Sequence, residues 1–405
     1  MSSEWRTAKL VDVAAKKRWA LNGGPFGSKL SRKHYSESGV PVIRGTNLSA
    51  DTKFSFDDFV YVSEEKADEL RANNAHPGDL IFTQRGTIGQ VGLIPFESPI
   101  PRFVISQSQM KLTVDPEQAD ALFLYYFFTA ADTVQKIQNL AFAAGVPHIN
   151  LDILRKFETP VPPLGVQRRI AGILSAYDEL MENSQRRIRL LEAMARALYR
   201  EWFVHFRFPG HDKLPRVASP LGDIPQGWEV KTVEEIVKRI PVGKKYDQKT
   251  VNPTGAVPVF DQGKTGIIGY HDDEPGVAAS ETSPVVVFAN HTCYQRLIHF
   301  PFSAIQNVLP FVPSPSIPRN IYWLHWATNG LVVFNDYKGH WPELAAKTLV
   351  VPPADLCQRF GDFTAPLSRR ILKLERAIET LRRTRDLLLP RLLSGQVELD
   401  PLNGK

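Results

Sequence analysis

The phrase Val-Pro-Pro occurs at 161–163 and again at 351–353, an offset of 190, and each time it opens a long charged segment. In the second segment Ile371, Leu374, Ile378, Leu381, Arg385 and Leu388 recur at alternating spacings of three and four, the a/d pattern of a coiled-coil seam. The same offset carried back gives Met181, Ser184, Ile188, Leu191, Ala195 and Leu198 in the same register without a gap. Neither Gly nor Pro interrupts 177–203 or 367–389, and both stretches are rich in Arg, Leu and Glu, which are good helix formers. Two such helices, polar outside their seams, bury those seams most simply against each other. The small Ser184 and Ala195 permit close approach, and Arg385 must snorkel or find an acid.

A second repeat lies upstream. Trp5, Leu10, Asp12 and Val13 match Trp228, Val233, Glu235 and Ile236 at a constant offset of 223. Trp thus begins a unit and Val-Pro-Pro closes its first part, twice. Internal duplication implies an approximate two-fold axis. A two-fold perpendicular to the helices makes them antiparallel, with one globular unit at each end of the pair. Helices of about 27–40 residues span roughly 40–60 Å, a little more than the roughly 34–36 Å of one turn of B-DNA. The expected boundaries are a globular unit over 1–160, a helix over 161–206, a connector over 207–227, a second unit over 228–350, a second helix over 351–399 and a tail over 400–405. The connector is assigned from its four Pro and three Gly, which deny it periodicity.

Inside the units the pattern is mixed α/β, an α+β arrangement of short strands and Gly-rich turns. VPVIRG and GDLIFTQRGTIGQVGLIP read as strands, with more around Ile105 and Met110–Val114, and a helix follows from about Pro116 to Gln138. In the second unit AVPVFDQGKTGIIGY and SPVVVFANHTCYQRLIHF are again strand-rich.

A chain of 405 residues suggests two or three domains, and 43% hydrophobic with 23% charged residues is ordinary for a soluble protein. No apolar run approaches the roughly 20 residues of a membrane span. The N-terminus lacks a signal-peptide pattern, and two cysteines form neither a disulfide framework nor a metal cluster. A cytoplasmic chain without membrane contact is expected. Of the net charge of +6, the 161–216 segment carries +4 and the 351–405 segment +3, while 1–160 is neutral.

No catalytic constellation is found. GGPFGSK and the GKT at 263–265 both fail the phosphate-loop spacing. Asp223 with EVK at 229–231 coincides with the start of the repeat. His291, Cys293 and His299 match no usual zinc spacing, so no metal site is expected. What remains are polar and basic residues on loops, suited to phosphates and base edges. In the first unit they are Lys29, Arg32, Lys33, Tyr35, Arg44, Asn47, Gln84, Arg85, Thr87 and Gln107. In the second they are Lys244, Lys245, Tyr246, Gln262, Lys264, Thr265, Asn290, His291, Tyr294, Arg296 and Gln306. A DNA reader is the leading expectation. A coiled-coil protein-binding scaffold without DNA specificity is the alternative, and a steep salt dependence of DNA affinity would separate the two.

These features together resemble the specificity subunit of type I restriction–modification enzymes. The resemblance rests on the two Val-Pro-Pro phrases and their helices, PLGDIPQGW at 220–228 and LLLPRLLSGQVEL at 387–399. It also rests on GPFGSKL, VPVIRGTNL, GDLIFTQRGTIG, PVGKKYDQKT and VPVFDQGKTGIIGY, and it covers essentially the whole chain. Cys357 and Gln358 depart from the more usual Gln-basic pair. The resemblance implies two target-recognition domains separated by two antiparallel helices, each domain reading half of a split double-stranded DNA site. It implies no catalysis and no cofactor in this chain. It also implies two methyltransferase subunits that use S-adenosylmethionine, and motor-nuclease subunits that use ATP and Mg2+.

Overall fold

The computed structural model describes residues 5–48, 52–143, 148–263, 266–336, 338–397 and 399. The chain divides into two units, one of residues 1–182 with 379–405 and the other of residues 183–378. Each unit boundary falls inside a long helix. These helices are Leu164–Tyr199 and Ala354–Leu393, and their first residues are separated by the same offset of 190, as the repeat requires.

The first unit is closed by an antiparallel ladder of Arg6–Lys9 with Glu158–Val161, in which Arg6 faces Val161. Beyond it lie two four-stranded sheets. One orders Leu21–Gly23, Gln109–Leu112, Leu80–Thr83 and Val91–Leu93. The other orders Val60–Val62, Val40–Ile43, Phe103–Ile105 and Asn74–Ala75, with a parallel central pair. Where sequence suggests one helix from about 116 to 138, the structure has two, Ala121–Thr129 and Ala131–Ala143. Asp120 sets the start by accepting the Phe123 amide at 2.9 Å. Ala130 is extended, and the Thr129 hydroxyl donates back to the Tyr125 carbonyl at 3.0 Å.

The core of this unit gathers Phe82, Phe123, Phe128, Leu80 and Leu112 under the first sheet. Ile170, Ala171 and Leu174 from the start of the first long helix join it, and so do Leu388, Leu389 and Leu392 from the end of the second. The two helix segments run antiparallel here. Arg385 meets Asp178 at 2.8 Å, so its acid partner is found. Asp178 also accepts the Tyr126 hydroxyl at 2.5 Å and lies 3.3 Å from the Lys53 ammonium.

The second unit repeats the plan. Its closing ladder pairs Glu229–Thr232 with Thr348–Val351, and Glu229 faces Val351. The two sequence offsets, 223 and 190, therefore bring equivalent residues into equivalent register. Its sheets order Val237–Arg239, Val308–Pro313, Val285–Ala289, Gln295–Ile298 and, separately, Lys245–Tyr246, Ser303–Ile305, Val257–Phe260, Ile267–His271. Trp323, Phe311 and Leu344 centre the core, with Trp202 and Phe203 near the end of the first long helix and Cys357 and Phe360 near the start of the second. The connector is anchored in this core. Phe208 is 5% exposed and packs 5.3 Å from Trp228, while Arg216–Val217 pairs with Ile224–Pro225.

Every seam position is at least partly buried in its own unit, whereas Leu180, Leu190, Met194 and Leu387 beside the seam are more than half exposed. No helix among the described residues is long and apolar enough to cross a membrane.

Candidate nucleic-acid interface

In the first unit four loops, 24–30, 44–48, 84–90 and 106–108, follow the ends of strands and are tied to one another. The Gly24 amide donates to the Gln109 carbonyl at 2.8 Å, Ser106 to Ile43 at 2.9 Å and Gln84 to Ser108 at 2.7 Å. The Gln90 amide group donates to the Leu48 carbonyl at 3.1 Å. Gln107 reaches across and donates to the carbonyls of Gly27 at 2.5 Å and Leu30 at 2.7 Å. A Cβ on Gly24 would lie 2.1 Å from the Ser106 carbonyl oxygen, so only glycine allows this approach. Arg85 forms an isolated bridge with His148.

The residues singled out in the first unit therefore belong to one loop cluster and its flank, with different roles. Lys29, Arg32, Lys33, Arg85 and Thr87 are exposed, and Tyr35 and Gln84 are half-buried. Asn47 is corrected: it is fully buried, accepts the Arg44 amide at 2.9 Å and donates to the carbonyls of Asp57 at 2.8 Å and Ser55 at 3.3 Å. Both of its amide donors hold the loop, and its complete burial keeps the side chain away from a base. The Arg44 guanidinium is likewise engaged, donating to the Asp58 carbonyl. Gln107 is exposed, yet its amide nitrogen is committed to the 24–30 loop.

In the second unit loops 261–263, 290–294, 306–307 and 338–341 meet. The His291 amide donates to the Gln262 side-chain oxygen at 2.8 Å, and the Thr292 hydroxyl donates to the Gln262 carbonyl at 2.5 Å. The Asn290 amide donates to Asn307 at 2.9 Å. The Asn290 side chain accepts the Trp341 amide at 2.7 Å, a structural task. Arg296 donates to the Gly263 carbonyl and lies over Tyr294, 4.6 Å from its centroid. Burial holds its pKa below the ordinary arginine value. Gln306 is exposed and Tyr294 is 37% exposed. Lys264 and Thr265 lie outside the described residues.

Lys244 and Tyr246 are tied to Asp273 instead, at 2.8 and 3.1 Å. Tyr246 is also corrected. It is 5% exposed, stacked 4.2 Å from the His271 ring, and burial followed by the Asp273 carboxylate raises its pKa. Lys245 beside it is exposed.

One arrangement that resembles a catalytic site carries no such chemistry. Ser303 lies 2.9 Å from His271 Nε2, the spacing of a nucleophile and its base. However, His271 Nδ1 accepts the Asp273 amide at 3.0 Å, so the neutral ring carries its proton on Nε2 and donates to the serine. Ser303 is also fully buried and accepts the Gly276 amide at 2.9 Å. Among the described residues no three His, Cys, Asp or Glu side chains are placed to share a metal.

Sequence reasoning misses Gln90 and Gln109, which organise the first cluster, and Thr292 and Asn307, which organise the second. Glutamine recurs at the strand ends in TQRGTIGQ and SQSQ, and that recurrence is the signal that points to the first pair. Phe26 is missed as well, and its ring is 83% exposed on the first cluster.

Residues 2–193 match the family model of the type I restriction modification DNA specificity domain. The chain is 23% identical to the type I restriction enzyme MjaIX specificity subunit of Methanocaldococcus jannaschii, over 98% of its own length and 95% of the relative's. It is 29% identical to the MjaVIII specificity subunit of the same organism, over 35% of its length and 32% of that relative's. Among solved structures, the S subunit of a type I restriction-modification system from M. genitalium aligns over 96% of both chains, with a TM-score of 0.58 at 17% identity. That likeness concerns the fold alone.

Proposed function

We propose that the chain is a specificity subunit of a type I restriction–modification system, a reading supported by the family match over residues 2–193 and by a relative alignable over nearly the whole chain, and that each of its units reads one half of a split site in double-stranded DNA. It is a DNA-recognition subunit. The observation that carries the half-site reading is the repeated plan: two units closed by ladders in equivalent register, each with its own cluster of strand-end loops. The clusters differ in sequence while the frames match, which suits two different half-sites.

In the first unit Lys29, Arg32, Lys33 and Arg85 supply phosphate contacts, and Gln84 and Thr87 face bases. In the second, Gln306, His291 and Tyr294 are the readers and Lys245 the phosphate contact. Arg and Lys fix position on the backbone, while amide and hydroxyl groups discriminate base edges.

The two long helices set the spacer between the half-sites. Their exposed apolar side chains, Leu190, Met194, Leu387 and Phe363, are all more than half exposed and suit docking of other subunits. Two methyltransferase subunits with S-adenosylmethionine, and motor-nuclease subunits with ATP and Mg2+, complete the assembly. This chain supplies recognition and no reacting group.

The test is a genome-wide adenine-methylation map in cells with and without the gene, beside its methyltransferase partner. A split motif that disappears with the gene supports the reading. Replacing residues 1–160 with those of another specificity subunit should change one half of the motif. A change in both halves would refute the division of labour.

A further inference from the structure

Phe26 is the most exposed of the large apolar side chains described, at 83%. An aromatic ring left in water forgoes the free energy of burial, and a single exposed apolar residue ordinarily needs no explanation. Three observations set this one apart.

The ring stands at the tip of a loop that is held rather than loose. Phe26 is extended, and the chain turns at Gly27, whose φ of +59° is left-handed. Gln107 fastens both sides of that turn through the Gly27 and Leu30 carbonyls. Gly24 fits against the Ser106 carbonyl only because it lacks a Cβ. The loop also belongs to the cluster assigned to DNA contact. Finally, Lys29, Arg32 and Lys33, all exposed, follow within seven residues and can anchor phosphates near an inserted group.

We propose that Phe26 is a wedge that enters the base stack of the half-site read by the first unit. This rests on the DNA-reading function given above. A stiff apolar tip followed by a run of cations has the form of the side chains by which other DNA-binding proteins unstack and kink a base step. Flexible pyrimidine–purine steps open at least cost. Phe26 would thus favour such a step without any hydrogen bond to a base edge.

The test uses the full chain co-purified with its methyltransferase partner, on duplexes of the methylated site with 2-aminopurine placed at each position in turn. The wedge predicts fluorescence enhancement at one step on binding. Phe26→Ala should abolish it and weaken cognate affinity roughly ten- to hundredfold, the range for losing one aromatic–base stack. The salt slope and melting temperature should not move, because the ring carries no charge and is not buried in the fold. Phe26→Tyr, which keeps the ring, should retain most of the affinity.

The control variant replaces Lys29, Arg32 and Lys33 with Ala and should flatten the salt slope. If Phe26→Ala changes affinity less than twofold while the control flattens the slope, the wedge is refuted and the interface stands. A Phe26→Ala loss that comes with a flatter slope refutes it too, since the cations would then have moved. If neither variant affects binding, the assignment of this cluster to DNA is wrong.

Discussion

Replacing Asp178 should cost the first unit more than any other single charge change. Its carboxylate is 11% exposed, and Arg385, its partner on the other long helix, is 22% exposed. The Arg385 guanidinium lies at 2.8 Å, the Tyr126 hydroxyl donates at 2.5 Å, and Lys53 lies at 3.3 Å. At 2.8 Å and an effective dielectric of about 20, two unit charges attract by about 6 kcal/mol, much of which desolvation cancels. Losing one partner is worse than never having the pair, because the other charge stays partly buried and unpaired. Breaking buried pairs costs about 3–5 kcal/mol, and the residual exposure here places Asp178→Ala near the low end, about 3 kcal/mol. For a unit of this size that lowers the melting temperature by about 6–12 °C. Asp178→Asn keeps the volume and a hydrogen bond for Tyr126, and should cost less. The informative variant combines Tyr126→Phe, Asp178→Leu and Arg385→Leu. Apolar replacement of a buried polar set is often neutral, and Lys53, 20% exposed on a long side chain, can turn its ammonium to water, so this triple should return to within about 1 kcal/mol of the parent. Hydrogen exchange over 121–129 and 164–182 isolates this unit from the rest of the chain. Two results would show the reasoning to be wrong. One is an Asp178→Ala cost no larger than the about 0.5 kcal/mol of an ordinary surface substitution. The other is a triple variant no more stable than the single one.

Three further outcomes are expected. Burial, followed by His299 and Arg196, pushes His325 down to about 4, against about 6.5 when unfolded. The unfolded state therefore binds the extra proton, and stability is lost as pH falls from 6.5 towards 4, by at most about 1.4 kcal/mol per pH unit, and by less because His325 retains some solvent exposure. Urea melts of the parent and His325→Gln across that window should differ in slope, and equal slopes would contradict this. Gln107→Ala frees the 24–30 loop and should weaken DNA binding about tenfold, the effect of losing about 1.4 kcal/mol, with the melting temperature unchanged to within about 2 °C; a large loss of stability would instead make Gln107 part of the core. Asn47→Ala strips three hydrogen bonds from a fully buried loop and should cost about 2–3 kcal/mol of stability without altering the methylated motif; a changed motif would restore Asn47 as a reader.

The frame was legible in the sequence because it is set by patterns that tolerate no slip. A one-residue shift in a ladder turns every side chain to the other face, so Arg6–Val161 and Glu229–Val351 fix their offsets. Likewise the seam positions follow from heptad spacing alone. The proposed interface was legible only in part. Exposed Lys29, Arg32 and Arg85 could be named from composition, but Asn47 and Tyr246 look the same in sequence as surface readers and are buried. Whether an amide points at water or at the Asp57 carbonyl depends on a contact ten residues away. Phe26 was missed for the opposite reason: an apolar residue is expected inside, and only a structure shows it outside. The break at Ala130 was also hidden, because nothing in the helical run marks where Thr129 turns its hydroxyl back.

The same frame explains where the copies are free to differ. The helix offset of 190 carries Asp178 onto Ser368 and Arg385 onto Ala195, which cannot form an ion pair. In the second unit Arg196 instead lies 5.7 Å from the centre of the Trp326 ring, and Tyr199 and Trp202 pack against Phe360 with centroids 6.2 and 6.1 Å away. Trp326 follows its Asn320 cap by six positions, as Tyr126 follows Asp120. One place in the repeat thus joins helix to globular unit with a carboxylate hub in the first copy and with aromatic packing in the second. Both solutions satisfy the same geometric demand, a contact between the cap-to-helix element and the long helices. Only the register must be common to both. Side chains that neither set a ladder nor occupy the seam are free to diverge, and the loops that carry the proposed half-site specificity are among them.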